Sequence, residues 1–289
     1  MRVLSPAAAY VVAHPGTFAR QVLRGFQSNQ GLLLAGAVAY YALLSVVPLL
    51  ILVVIGLSHW IDQRELLQTL ARYLEWLTPG QSKAVVAELA NFVQHRSVIG
   101  WVLLITMLFF SSLGFTVLEK AMSVIFLHRF AVRRRHFLVS VLLPYCYIVS
   151  LAIGLLIVTV VSGGLQAMGE NSVFVLGDEH SLQRVSGALL YLLGLAGEIF
   201  LVTSVYMVMP VGKLSWRHAL IGGVTAALLW EITRHVLVWY FSTLSQVSLV
   251  YGSLTTAIVV LLSLEIAATL LLLVAQVISE YERIERNVG

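Results

Sequence analysis

Six separate stretches of this chain are apolar for about the length a helix needs to cross a bilayer, roughly 20 residues. They cover 31–57, 98–118, 137–161, 186–209, 217–241 and 253–278. The runs are continuous, unlike the alternating strands of a membrane barrel, and within lipid a helix satisfies its own backbone. The expected fold is therefore all-α: a polytopic membrane protein with six transmembrane helices, forming one membrane domain over 1–289. No soluble core could absorb this surface, since 59% of the 289 residues are hydrophobic and only 11% are charged. Soluble domains carry roughly 25% charged residues.

The charges sit at the ends of the apolar runs, where they act as topology signals rather than as a nucleic-acid-binding stripe. One side holds Arg2, Arg20 and Arg24, then Lys120, Arg129, Arg133, Arg134 and Arg135, then Lys213, Arg217, Arg283 and Arg286. The opposite side holds Arg64, Arg72, Lys83, Arg96 and Arg184, diluted by seven acids from Asp62 to Glu179. The positive-inside rule then predicts that both termini are cytoplasmic, with 279–289 as a cytoplasmic tail. The opening "MRVLSPAAAYVVAHPG" is a poor signal peptide, because its apolar region is short and flanked by Pro6, His14 and Pro15. It is expected to be retained, within a cytoplasmic amphipathic segment 1–30.

Two non-spanning segments have helical patterning. "GTFARQVLRGFQSN" is amphipathic and presents Arg20 and Arg24 to anionic lipid headgroups. The juxtamembrane Arg133, Arg134 and Arg135 suit the same partner. Between the first two spans, 58–97 places Leu66, Leu67, Leu70, Leu74 and Leu77 near one face, breaks at "TPG", and restarts with Ser82 as a possible N-cap. This predicts an extracytoplasmic helical hairpin lying on or capping the bundle.

The first span, "GLLLAGAVAYYALLSVVPLLILVVIGL", contains more than a tether requires. Pro48 lacks an N–H and crowds the Leu44 carbonyl, which predicts a kinked first helix; Pro144 predicts a second kink in the third span. Ser45 can bond a backbone carbonyl at the kink. Tyr40 and Tyr41 carry hydroxyls that lipid cannot satisfy, so at least one should face protein or a cavity. Ala35, Ala39 and Ala42, with Gly222/Ala226 and Gly223/Ala227, permit close helix approach.

Three acids fall inside spans: Glu198, Glu231 and Glu265, together with Arg234 and His235. Ionisable groups at that depth normally face a cavity or a partner. One reading is a polar midplane cavity, with Arg234 as counter-ion or anion ligand and the acids available for proton coupling. The other is an internal ion-pair clamp, since Glu231 and Arg234 are three residues apart on one helix. Glu231 and His235 have the spacing of two metal ligands, but no third ligand or HExxH accompanies them, so no metal or other cofactor is expected. The single cysteine, Cys146, excludes an internal disulfide and reads as a packed thiol. Neither a metal–carboxylate cluster nor a Walker motif is present.

Three ordered blocks resemble the YihY/BrkB family of bacterial inner-membrane proteins, historically labelled ribonuclease BN-like. The first is Ala39, Tyr40, Tyr41, Ser45 and Pro48; the second runs from Tyr206 and Pro210 through Trp216, Arg217, Ala219, Gly222, Trp230 and Glu231 to Tyr240; the third is Tyr251-Gly252-Ser253-Leu254. The chain departs from the family pattern in the last span, which reads "LLSLEIA" where a tryptophan is usual. It departs again at Val274-Ala275-Gln276, in place of a Gly-Ala-Glu-like segment. The resemblance implies six inner-membrane helices and proposed roles in envelope transport or serum resistance, with the ribonuclease label a misassignment. The function expected is passage or accommodation of a lipid-like or anionic amphiphilic solute. A tRNA-processing nuclease and a non-transporting envelope scaffold are the rivals.

Overall fold

The computed structural model describes residues 6–77, 81–94, 101–126, 137–169, 182–210, 214–243 and 254–288. Among these residues there are ten helices and no strand. Six of the helices are long and apolar enough to cross a membrane: α3 (Gly31–Leu57), α6 (Trp101–Ile125), α7 (Phe137–Gly169), α8 (Leu182–Val208), α9 (Trp216–Thr243) and α10 (Thr255–Val288). The other four are α1 (Pro6–Ala13), α2 (Pro15–Ser28), α4 (Gln63–Leu77) and α5 (Ser82–Gln94). Ile105, Phe109, Val149, Ile153, Phe200, Ile232 and Trp239 are all more than half exposed. Such a surface would aggregate in water and is at home in lipid.

Two spans outrun their apolar stretches. α6 continues past residue 118 through Glu119 and Lys120, and α10 continues past residue 278 into "SEYERIERNV". A helix persists wherever its backbone ladder does, so the end of hydrophobicity does not mark the end of the helix. Pro48 lies within α3, which stays helical from Gly31 to Leu57, and Pro144 lies within α7. Each removes one rung of its ladder.

α3 is the central helix, packing on α6, α10, α7 and both hairpin helices. Its contact with α6 is close: a Cβ built on Gly114 would stand 2.5 Å from Ser45 Oγ and 3.3 Å from Ala42 Cα. α9 is gripped on two sides through adjacent glycines. A Cβ on Gly222 would meet Ile278 of α10 at 2.5 Å, and one on Gly223 would meet Ile199 O of α8 at 3.2 Å. The small residues of the first and fifth spans thus act as packing surfaces, and Ala35, Ala39, Ala226 and Ala227 are buried.

α10 and α3 run antiparallel in a readable register. Asn29 meets Gln276, Gly36 faces Glu265, and Ala39 clusters with Val260 and Leu264. Continued along the helices, this register sets the first turn of α10 beside the Ser45–Val47 stretch, well short of Leu57. The α4–α5 hairpin fills the step. Its Leu66 clusters with Leu49, Val53 and Leu57 of α3, against which Ile148, Leu151, Ala152, Leu155 and Leu156 of α7 pack, while Leu67, Leu70, Leu74 and Leu89 cluster with Ile51, Val54 and Met107. Val85 reaches the Ala39–Val260–Leu264 cluster. The hairpin is therefore wedged among α3, α6, α7 and α10 rather than resting on top of them. Ser82 does not cap α5 with its side chain; it donates to Glu75 Oε2 at 2.5 Å and closes the hairpin. The side-chain cap is Asp62, whose Oδ1 accepts from Arg64 N–H at the start of α4 (2.7 Å).

At the other end, α2 lays Val22 and Phe26 against the bundle and exposes Arg20 and Arg24. Gln30, in the left-handed region at φ 54°, makes the elbow into α3. Cys146 is exposed on α7, contrary to the packed thiol expected of it.

Candidate functional site

α8 and α9 pack antiparallel through the Gly223 contact, and this brings polar side chains forty residues apart in sequence onto one patch. Arg234 donates twice to Glu231, from Nη2 to Oε1 at 2.6 Å and from Nε to Oε2 at 3.1 Å. The three-residue spacing on α9 makes this fork geometry available without distortion. Tyr191 of α8 donates its hydroxyl to Glu231 Oε1 at 2.7 Å. Glu198, two turns along α8, lies within electrostatic range of both Glu231 and Arg234. The Arg234 and Glu231 side chains are 15% and 18% exposed, so the pair is shielded but not sealed. His235 is mostly exposed and sets Nδ1 2.7 Å from the Glu231 carbonyl.

Of the residues singled out by sequence, the structure thus brings together Glu198, Glu231, Arg234 and His235. Glu265 stands apart. It is on α10, exposed, with Oε1 3.9 Å from where a Cβ on Gly36 of α3 would be. Ser45 lies buried in the α3–α6 contact with its hydroxyl on the Ala42 carbonyl (3.1 Å). That is the back-bond expected beside Pro48. Tyr40 is exposed and Tyr41 half-buried, their rings edge-on at 5.2 Å. Arg133, Arg134 and Arg135 lie outside the described residues, as do Tyr251, Gly252 and Ser253 of the third resemblance block.

Tyr191 is the member that sequence reasoning missed. Its signal was present but weak: a tyrosine at the exposed edge of a span, needing a hydroxyl partner. The polar group has one guanidinium, two carboxylates, a phenol and an imidazole, and the guanidinium is already doubly bonded to one carboxylate. No three of His, Cys, Asp and Glu converge as a metal site among the described residues.

Two clefts among the described residues lie away from this group. One is lined by Trp60, Ile61, Asp62, Glu65, Thr159 and Val160, where the start of α4 meets α7. The other lies between α2 and the last turns of α10. The polar group is instead reached laterally. Tyr191 and His235 are exposed, as are Ile232, Val236 and Trp239 of the same α9 segment.

A family model described as "Virulence factor BrkB" matches residues 22–288. A UPF0761 membrane protein of Legionella pneumophila (strain Philadelphia 1) is 28% identical over 243 residues, covering 83% of this chain and 55% of that protein. One from Alkalilimnicola ehrlichii is 26% identical over 271 residues, covering 90% of this chain and 57% of that protein. A third, from Aggregatibacter aphrophilus, is 34% identical over 77 residues, or 27% of this chain. The chain spans little more than half the length of the first two relatives. No solved structure matches it.

Proposed function

The chain belongs to the virulence factor BrkB family, and from that membership we propose that it is a bacterial inner-membrane protein that moves or accommodates a lipid-like or anionic amphiphilic solute. The solute meets the polar group shared by α8 and α9. Both termini lie in the cytoplasm and the α4–α5 hairpin on the outer side. That orientation rests on the Lys/Arg asymmetry of the connecting segments.

The observation that carries the reading is lateral access. Arg234 and Glu231 are shielded while Tyr191 and His235 of the same group are exposed, and Ile232, Val236 and Trp239 present exposed apolar surface on the same helix. A solute with a polar head and an apolar tail can bring its head to Arg234 and His235 while its tail stays in lipid. This differs from an enclosed midplane cavity, and it leaves Glu265, Tyr40, Tyr41 and Ser45 on other faces of the bundle.

A second reading has its own support. Arg234 is bound bidentately by Glu231, as expected of a clamp that satisfies itself. Proteoliposomes separate the two. Translocation of a fluorescent phosphatidylglycerol, followed by quenching from outside, should fall to the protein-free level in Arg234→Gln while the variant still folds and inserts. Wild-type flux in Arg234→Gln, or loss of flux only where folded protein is lost, would favour the clamp. The enzyme rival is tested in the same preparation. Cleavage of tRNA that co-purifies with the chain and vanishes on a point substitution would displace transport altogether.

A further inference from the structure

The cleft between α2 and the end of α10 shares no lining residue with the α8–α9 polar group. It is lined by Gln21, Arg24, Gly25, Ser28, Glu280, Arg283 and Ile284. Its floor is a buried polar chain. Asn29 donates to Gln276 Oε1 at 2.9 Å, Gln276 donates to Glu280 Oε1 at 3.1 Å, and Arg283 donates to both Glu280 oxygens at 3.0 and 3.2 Å. Gln276 and Glu280 are 2% and 6% exposed. α2 can lie this close only because residue 25 is glycine: a Cβ there would stand 2.9 Å from Glu280 Oε1 and closer still to the Gln276 amide.

The charge balance of the cleft points outward. Glu280 is neutralised by Arg283 and hydrogen-bonded by Gln276, so it neither needs nor attracts a further cation. Arg24 lines the same cleft with no hydrogen-bond or ion-pair partner among the described residues. The lining thus carries one guanidinium in excess, held beside a second that Glu280 fixes in place. The cleft also opens where α10 leaves its apolar run, next to an amphipathic helix whose Leu23 is exposed beside Arg24. These are the conditions at a membrane surface.

We infer that the α2–α10 cleft is a binding site for a phosphate group, held between Arg24 and Arg283. A planar guanidinium pairs with two phosphate oxygens at once, which a lysine cannot do. The membrane-surface position makes a lipid phosphodiester the natural source, with Leu23 and Ile284 against the start of its acyl chains. Free phosphate shares the head chemistry but lacks those contacts.

The test is native mass spectrometry of the full chain in detergent, titrated with phosphatidylglycerol, phosphatidylcholine or inorganic phosphate. One phosphatidylglycerol should be retained in preference to phosphatidylcholine. Arg24→Gln should weaken its retention by about tenfold, the cost of losing hydrogen bonds to a charged group. Arg24→Lys should fall between the two. Arg286→Gln, exposed on α10 but outside the cleft lining, should leave retention unchanged. Displacement of the lipid by millimolar phosphate, again abolished by Arg24→Gln, would support the site and assign it to free phosphate as well. Equal losses in Arg286→Gln and Arg24→Gln would overturn the proposal, because the effect would then be general surface charge. So would a lowered unfolding midpoint in Arg24→Gln with retention unaltered, which would make the cleft a helix latch alone.

Discussion

Thr256 donates its hydroxyl to the Gln81 side-chain oxygen at 2.7 Å, across 175 residues of chain. The bond joins the tip of the α4–α5 hairpin to the first turn of the last span, and it locates the hairpin within the bundle. In a Cys146→Ser chain, a Gln81→Cys/Thr256→Cys pair should therefore be bridged by a short bis-methanethiosulfonate reagent in membranes, since the length of the glutamine side chain sets the two cysteines farther apart than a direct disulfide spans. The crosslink would be seen as a mobility shift reversed by reductant. Failure to crosslink, with each single cysteine reactive to a small maleimide, would mean that the hairpin lies elsewhere.

The wedge also has an energetic signature. Leu66 is fully buried between α3 and α7, whereas Ile105 faces outward. Leu66→Ala should lower stability by about 2–5 kcal/mol through lost packing and a residual cavity. Ile105→Ala, which changes a lipid contact, should cost far less. Thermal unfolding in detergent measures both. Equal effects would contradict the placement of α4.

The six spans were legible because hydropathy over about twenty residues depends on nothing but sequence. The Glu231–Arg234 pair was legible for a similar reason, since three residues along a helix is a fixed geometry. The hairpin was only half legible. Its apolar leucine face could be seen, but an amphipathic pattern does not say whether that face meets a bilayer surface or other helices. The reason lies in the stagger of α3 and α10, a register between distant segments that no local pattern encodes. The same gap explains Glu265 and Tyr191. Each sits in a span, but which neighbour a span turns towards depends on packing at positions such as Gly114 and Gly223. Tyr191 turned out to face Glu231, and Glu265 to face Gly36.

Removing one partner from the α8–α9 group should not cost the same as removing both. Arg234→Ala leaves Glu231 without its main donor and should destabilise by up to about 3–5 kcal/mol, less any relief from partial exposure. Tyr191→Phe removes a single hydrogen bond and should cost about 1.5–3 kcal/mol at most. Glu231→Leu with Arg234→Met should recover much of the loss, because no unpaired charge remains. Unfolding midpoints of the four proteins give the comparison. A double variant less stable than Arg234→Ala would show that the pair contributes more than mutual neutralisation.

The contact between α3 and α6 offers the sharpest test of the packing. A Cβ on Gly114 would stand 2.5 Å from Ser45 Oγ, an impossible distance, but 3.3 Å from Ala42 Cα, which is only tight. The conflict in Gly114→Ala is therefore mainly with one hydroxyl, already bonded to the Ala42 carbonyl at 3.1 Å and unable to swing away freely. Gly114→Ala should destabilise by about 1–3 kcal/mol, the usual cost of overpacking. Ser45→Ala should cost little, since its back-bond to the helix adds almost nothing to stability. Combined, the two should be more stable than Gly114→Ala alone, because the added methyl then occupies the space the hydroxyl vacates. The difference is a coupling energy, readable from a double-mutant cycle of unfolding midpoints. Strict additivity would show that Ser45 and Gly114 do not meet at the crossing. Coupling would fix Ser45 as part of the helix crossing, and the polar residues beside Pro48 would then serve the packing of α3 rather than a passage through it.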